Sequence, residues 1–223
     1  MIVGARKPLP ELLSMVEPFN RILVLGCGTC VTVCMAGGLK EAEETAALLR
    51  LQRQQQGRPL QVDVKVAERV CEREYVENIA DAFAGVDAII SLACGVGTQG
   101  LVTFHPEMSS LPGLDTGAYG LPEEAGRWKE VCLGCGKCGI GATGGICVVT
   151  RCSKGLLNGP CGGSREGKCE VRPDLDCAWQ LVWDRLQKLG LEDLMDEIKP
   201  PKDWSTSWNG GPREIVREDV RYV

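Results

Sequence analysis

The sequence predicts an α/β protein with a small parallel sheet and crossover helices, followed by a Cys/Gly-rich module and a C-terminal helix and tail. Two observations lead to this prediction. Strand-like and helix-like hydrophobic patterns alternate through residues 21–93, and cysteines and glycines replace any hydrophobic period over residues 131–170. The chain has 223 residues, with 13 cysteines and 28 glycines. We therefore expect two domains, residues 1–120 and residues 121–223.

Each element of the first half has its own pattern. Residues 21–25 are a short apolar run closed by glycine, which is typical of a buried strand. Residues 36–56 place alanines and leucines at helical spacing, and residues 60–66 alternate apolar with polar side chains, as a strand does. A second helix is predicted over residues 73–83 and a third strand over residues 86–92. This alternation predicts parallel strands joined by right-handed crossovers.

The second half has weaker patterns. Residues 95–126 lose their period to glycine and proline, and we interpret them as a linker or irregular loop. Residues 131–170 hold too few apolar side chains for a core, so a module folded by metal is expected there. Helical spacing returns over residues 176–189. The tail carries Trp204 and Trp208 without a period, and it either binds a partner or packs back on its own domain.

Composition excludes several classes of protein. The net charge of −5 argues against nucleic-acid binding, and the sequence has no run of about 20 apolar residues that could form a membrane helix. No secretory signal opens the chain, so a cytoplasmic location is expected. The number of cysteines is odd, and the cytoplasm is reducing, so we do not expect a disulfide framework. His105 is the single histidine and is expected at the surface. One histidine is too few for zinc sites that are built on several histidines. Any metal is therefore held by thiolates, which select zinc or iron–sulfur clusters.

Eight cysteines of the second half have metal-ligand spacing. Cys132, Cys135 and Cys138 form a C-x2-C-x2-C run, the spacing of three ligands around a [4Fe–4S] cluster. The remaining five are Cys147, Cys152, Cys161, Cys169 and Cys177. Eight thiols make two four-thiolate sites, and the compact triplet favours a cluster over zinc. Spacing alone does not indicate which later cysteine completes the triplet.

The first half contains the other five cysteines, at one predicted edge of the sheet. Cys27, Cys30 and Cys34 follow the first strand, Cys71 follows the second, and Cys94 ends the third. Carboxyl ends of parallel strands meet at one edge, where open α/β sheets bind ligands. Four thiols are enough for a third metal site, so one is spare, and the sequence leaves open which one.

Two glycine patterns favour a nucleotide site less than a metal site. Gly95, Gly97 and Gly100 fit G-x-G-x-x-G after a strand, but we expect at most one helical turn before Pro106. After Gly26 and Gly28, Val31 occupies the position of the third glycine, and candidate ligand cysteines fill this loop. We therefore interpret both patterns as loops around metal ligands, and no catalytic residue is predicted.

The cysteine-rich segments carry a family resemblance. They resemble the methylenetetrahydrofolate reductase C-terminal domain family through the triplet segment, Thr143–Cys147, Arg151–Cys152 and Lys154–Gly163. Over residues 5–205 the chain is similar to the small, MetV-type subunits of bacterial methylenetetrahydrofolate reductases, with support from Gly26–Cys30, Ser91–Gly95 and Cys177–Gln180. One departure is Val148, where the resemblance leads us to expect proline next to the cysteine.

This resemblance implies cofactors and a partner. The cofactors are two [4Fe–4S] clusters and one zinc ion. The partner is a flavin-bearing large subunit that reduces methylene- to methyl-tetrahydrofolate. The resemblance also allows further partner subunits that donate electrons. The chain would then be the electron-transfer subunit, since it lacks a barrel's length and a flavin or folate site. Two alternatives stay open: a redox-inert zinc-stabilised scaffold and a free-standing ferredoxin-like carrier.

Overall fold

The computed structural model describes residues 1–212 and 214–220. The chain divides into two compact units, Met1–Lys129 (unit 1) and Glu130–Val223 (unit 2). This division lies later in the chain than the boundary that we predicted at residue 120.

Unit 1 is built on a four-stranded parallel sheet with the strand order β3-β2-β4-β5. Its strands are β2 (Arg21–Cys27), β3 (Gln61–Ala67), β4 (Ala88–Ser91) and β5 (Ser110–Pro112). The helices between them are α2 (Cys30–Val33), α3 (Leu39–Gln55), α4 (Arg73–Glu77) and α5 (Gly95–Phe104), with a 3-10 turn over Ala80–Phe83. The predicted parallel sheet with crossover helices is confirmed.

The core of unit 1 lies around the central strand β2. Residues Ile22–Leu25 are fully buried, because helices cover both faces of a parallel sheet. The neighbouring β3 alternates instead, with Val62 buried and Asp63 exposed, as expected of a strand at the sheet edge. On α3, Ala42, Ala46 and Leu49 form the buried stripe at helical spacing.

The interpretation of residues 95–126 as a linker or irregular loop is wrong. This segment contains α5, β5 and all of β6 (Leu114–Glu124), which pairs antiparallel with β1 (Ile2–Arg6). A three-stranded sheet of order β1-β6-β7 results, where β7 is Arg127–Cys132. The local pattern failed because β6 is held by hydrogen bonds to a strand more than a hundred residues away, such as Ile2 opposite Tyr119. A further helix, α1 (Leu9–Met15), follows β1.

Unit 2 has little regular structure. It contains α6 (Val148–Arg151), α7 (Ala178–Leu189) and 3-10 turns at Ile140–Thr143, Glu192–Met195, Trp208–Gly210 and Glu218–Val220. Its buried apolar cluster holds Val148, Cys177, Trp179, Val182 and Leu186. The helix predicted over residues 176–189 is present, and its buried side chains supply most of this cluster.

None of the helices in the described segments is both long and apolar enough to cross a bilayer.

Candidate metal centres

A cavity in unit 2 is lined by four of the predicted ligand cysteines. These are Cys152, Cys161, Cys169 and Cys177. The cavity is small, with a volume of about 20 Å³, and Leu156 and Trp179 form its apolar wall. The Trp179 Nε1–H donates a hydrogen bond to Leu156 O at 3.3 Å, which fixes this wall.

Helix ends and a tight hairpin turn place three of these four cysteines. Cys152 follows the last residue of α6, and Cys177 precedes the first residue of α7. Cys169 lies in the turn between them, where its N–H donates to Leu175 O at 3.0 Å. The Cys177 N–H donates to Gly167 O at 2.7 Å and closes the same turn. Backbone hydrogen bonds thus bring together thiols that are far apart in sequence.

The surroundings of two of these thiols favour the thiolate form. The pKa of Cys161 lies below its ordinary value because the Gly163 N–H, 3.5 Å from its sulfur, and the nearby Lys154 ammonium stabilise the anion. The pKa of Cys169 is also lowered, first by Ser153, whose Oγ lies 3.5 Å from its sulfur. The thiolate is the form that binds metals. Lys154 is ion-paired with Glu170, and both line the cavity.

The C-x2-C-x2-C triplet lies in a loop directly after β7. The Gly134 N–H donates to Cys132 Sγ at 3.4 Å, and Gly134 and Gly136 have positive φ angles of 61° and 84°. Glycine adopts such angles without strain, so the loop can fold tightly around its sulfurs. Cys135 is half-buried, and Cys138 is exposed.

The tail covers this triplet loop. Thr206 Oγ1 donates to Cys135 O at 3.0 Å, and Lys202 Nζ donates to Lys137 O at 2.8 Å. A Cβ atom on Gly136 would lie 2.1 Å from Thr206 O, so glycine is required at this approach. Of the two alternatives for the tail, this part packs back on its own unit, whereas Trp208 stays 77% exposed.

Cys147 occupies the start of α6, at the opposite end from Cys152. It is half-buried, and its sulfur lies 3.4 Å from Thr150 Oγ1. The next residue, Val148, is buried in the apolar cluster of unit 2. This burial gives a structural role to the valine that stands where the family resemblance leads us to expect proline.

In unit 1, loops after three neighbouring strands carry the other candidate thiols. Cys27 ends β2, Cys71 lies in the loop after β3, and Cys94 caps the start of α5 after β4. The Gly28 N–H donates to Ala67 O at 2.9 Å, which ties the first loop to the second. Burial raises the pKa of Cys71, and the neighbouring thiols Cys27 and Cys94 raise it further.

Cys34 has a different environment from the other cysteines of unit 1. The Gly4 N–H of β1 donates to its sulfur at 3.4 Å, and its thiol lies 3.6 Å from Val31 O. The side chain is 5% exposed and belongs to the apolar core. These contacts occupy its sulfur within the protein.

Thiols are chemically suited to bind a metal, but in this structure they lie too far apart to share one. All 13 cysteines are free thiols. Within residues 1–212 and 214–220, no three Cys, His, Asp or Glu side chains converge closely enough to hold a metal ion. The cavity in unit 2 nevertheless has four thiols, two of them in settings that favour the thiolate, and such a donor set suits zinc or an iron–sulfur cluster. Sequence reasoning missed Lys154, Glu170 and Thr206, because only the folded chain shows that they adjoin these loops.

The glycine fingerprint after β4 has a structural explanation. The expectation of a single helical turn is wrong, since α5 has 10 residues. A Cβ atom on Gly97 would lie 2.8 Å from Ala93 Cβ, and one on Gly100 would lie 3.2 Å from Val70 O. These glycines thus allow the helix to pack closely on two loops. His105 is also less exposed than predicted, because it packs edge-on against Phe83 with ring centroids 5.1 Å apart.

Comparison with known families identifies one region of the chain. Residues 111–205 match the family model described as methylene-tetrahydrofolate reductase C terminal. No curated protein and no solved structure matches the chain. The matched segment contains all eight cysteines of unit 2 and none of the five in unit 1. Similarity to the methylene-tetrahydrofolate reductase C-terminal family is therefore limited to residues 111–205.

Proposed function

We propose that the protein is the electron-transfer subunit of a methylenetetrahydrofolate reductase complex. In this proposal it resembles the MetV-type subunits and passes electrons through two [4Fe–4S] clusters to the flavin of a catalytic partner subunit. The observation that supports it best is the cavity lined by four cysteines, since this cavity lies in the region that matches the family.

The cavity also suggests how the eight cysteines of unit 2 divide. Cys152, Cys161, Cys169 and Cys177 line it together, and we assign them to one cluster. The cysteines that remain are the triplet Cys132, Cys135 and Cys138 together with Cys147. A triplet with one remote cysteine is a common ligand pattern for a [4Fe–4S] cluster. This proposed division makes Cys147 the fourth ligand of the triplet, a choice that spacing alone leaves open.

Groups around the cavity have defined roles in this proposal. A bound [4Fe–4S] cluster supplies one-electron redox chemistry, and its potential depends on hydrogen bonds to sulfur, nearby charge and solvent exposure. The Gly163 N–H and Ser153 lie within 3.5 Å of ligand sulfurs and stabilise negative charge there. The Lys154 charge is balanced by Glu170 beside it, and Trp179 and Leu156 exclude water from one wall.

Exposed apolar side chains of the tail support a protein partner. Trp208 is 77% exposed, Ile215 is 73% exposed and Val216 is 54% exposed. These three side chains lie within nine residues of the tail, and contiguous apolar surface is typical of interfaces. We propose that they contact the flavin-bearing subunit in the cytoplasm, while Lys202–Ser207 stays against the triplet loop.

Serine substitutions test the proposed division of ligands. Cys152→Ser and Cys135→Ser should each remove about four of about eight irons per chain, and the double variant should remove all of them. The matched control is Cys34→Ser, which alters a buried thiol outside both sets and should keep all the iron. If the double variant loses no more iron than either single variant, both cysteines serve one cluster and the division is wrong.

Electron transfer is tested by mixing. The protein, reduced with dithionite and freed of excess reductant, is mixed anaerobically with the oxidised flavin-bearing subunit, and flavin bleaching is followed. We expect bleaching with the wild-type chain and a strong loss of it with Cys152→Ser. A colourless, zinc-only protein would instead support the redox-inert scaffold. Bleaching of free flavin without any stable association with the flavoprotein would support the ferredoxin-like carrier.

A further inference from the structure

We propose that strand β3 is a self-pairing edge, at which two copies of the chain join their parallel sheets through antiparallel β3–β3 pairing. This edge belongs to unit 1 and lies outside residues 111–205, so the family match does not assign it. The pairing needs neither a metal nor the flavin-bearing subunit, so it can be tested separately from the electron-transfer proposal.

The first support is the open side of β3. In the strand order β3-β2-β4-β5, β3 lies at the edge, with β2 as its one strand neighbour among the described residues. The Gln61 N–H donates to Asn20 O at 2.9 Å, so the odd-numbered residues of β3 direct their N–H and C=O groups towards β2. The residues that direct these groups to the open side are Val62, Val64 and Val66.

Backbone groups on this side are largely available to a partner strand. Within residues 1–212 and 214–220, the one group that hydrogen-bonds to them is the Arg50 guanidinium, whose Nε and Nη2 donate to Val62 O at 3.2 and 2.7 Å. Arg50 therefore covers the start of the strand and leaves Val64 and Val66 open. Unpaired N–H and C=O groups of an edge strand are a template for pairing with another chain.

The exposed charges of β3 are complementary in one antiparallel register. Asp63 and Lys65 are exposed and lie on the same face of the strand. In a two-fold pair centred on Val64, Asp63 of each copy lies opposite Lys65 of the other. A shift of two residues in one direction would place Asp63 opposite Asp63, and a shift in the other direction would place Lys65 opposite Lys65. Like charges directly opposite are destabilising, so the charges select a second copy in this register.

Both charged side chains are available for this contact. Asp63 Oδ2 accepts a hydrogen bond from Arg21 Nη2 at 3.0 Å, and the Asp63 side chain is still 53% exposed. Lys65 makes no ion pair within the described residues, so its ammonium has no competing partner. A lysine on an edge strand usually opposes pairing. Here the aspartate two residues earlier turns the lysine into half of a complementary pair.

The other face of the paired strands would be apolar. In the same register Val64 lies opposite Val64, and Val62 lies opposite Val66. Val62 is buried and the other two valines are half-buried, so pairing would cover the rest of their side chains. Cross-strand contacts between β-branched side chains stabilise a sheet. A strand of seven residues forms a small interface, so we expect the dimer to dissociate on dilution.

Sedimentation velocity of the full chain, purified anaerobically and measured over a range of concentrations, tests the proposal. The wild type should form a dimer whose fraction rises with concentration. Asp63→Lys and Lys65→Glu should each be monomeric, because each places like charges opposite one another. An equimolar mixture of the two variants should dimerise, since the introduced lysine then faces the introduced glutamate, and Lys65 faces Asp63.

A matched control separates this pairing from a general effect of charge. Lys188→Glu, an exposed position of α7 in unit 2, changes the net charge as much as Lys65→Glu does and should dimerise like the wild type. Three results would each overturn the proposal: a wild type that is monomeric at every concentration, a Lys65→Glu variant that dimerises like the wild type, or a mixture that stays monomeric.

Hydrogen exchange of the unmodified protein guards against variants that do not fold. The Val64 N–H points to the open side, so it should exchange quickly in dilute protein and slowly in concentrated protein. The Asp63 N–H points towards β2 and should exchange slowly in both. Exchange of Val64 that does not depend on concentration would contradict self-pairing. Protection of Val64 that needs the flavin-bearing subunit would assign the edge to that partner and overturn the proposal as well.

Discussion

Removal of metal from the whole protein should unfold unit 2 and leave unit 1 folded. The two units differ in the size of their apolar cores: among the described residues, the cluster of unit 2 holds five buried apolar side chains and that of unit 1 holds 27. A core of five side chains is small for a segment of this length, and in our proposal metal–thiolate bonds supply the remaining stability. Unit 1 keeps its buried strands whether or not zinc is bound.

The lengths of the helices determine how much helical signal should be lost when unit 2 unfolds. In unit 2, α6 has 4 residues and α7 has 12. In unit 1, α3 alone has 17 and α5 has 10. Loss of the α-helices of unit 2 should therefore remove about a quarter of the helical signal in far-ultraviolet circular dichroism, and the rest should persist.

Hydrogen exchange locates this change in the chain. After anaerobic chelation, peptides from α7 should lose their protection, while peptides from β2 and β4 should keep theirs. Protection of α7 that is equal in the metal-bound and metal-free protein would refute the reasoning. Simultaneous loss of protection in β2 would refute it as well, because it would show that the core of unit 1 also depends on metal.

Three substitutions test the energetics of unit 1 by urea unfolding. The buried guanidinium of Arg53, 3% exposed, donates to four backbone carbonyl oxygens, so Arg53→Met should lower the free energy of unfolding by about 3 kcal/mol and Arg53→Lys by less. Equal stability in Arg53→Met would contradict this role. A Cβ on Gly37 would lie 1.9 Å from Leu92 O, so Gly37→Ala should cost about 2 kcal/mol, and an unchanged unfolding midpoint would show that the backbone yields freely. The pKa of Asp87 is lowered by the N–H groups of Arg21 and Asn20, so its stabilising effect should be present above about pH 4 and should fade as the pH drops through its folded-state pKa. Asp87→Asn should thus be less stable than the wild type at pH 7 and equal to it in strong acid; a difference independent of pH would contradict the assignment.

Local hydrophobic patterns predicted the parallel sheet, because the burial of each strand face determines which side chains that face can carry. The apolar run of β2 reflects cover on both faces, and the alternation of β3 reflects one exposed face. The same reasoning failed for β6, whose partner is β1 at the other end of unit 1. It also failed for α5, which is rich in glycine and is stabilised by close packing on Val70 rather than by helix propensity.

The candidate site was predictable in composition but not in arrangement. Spacing identified the triplet, since its three ligands belong to one short loop. It could not separate Cys34 from its neighbours, because the hydrogen bond that occupies this thiol comes from Gly4, 30 residues earlier. Likewise, only the hairpin turn that ends at Cys177 shows that Cys152 and Cys169 share a cavity.

The most direct test of the electron-transfer proposal is the metal content of the anaerobically purified wild-type chain, with a visible spectrum before and after dithionite. We expect about eight irons and about eight acid-labile sulfides per chain, with a broad visible absorbance that bleaches on reduction. A colourless protein that contains zinc and no iron would contradict the proposal and leave a zinc-stabilised scaffold as its function.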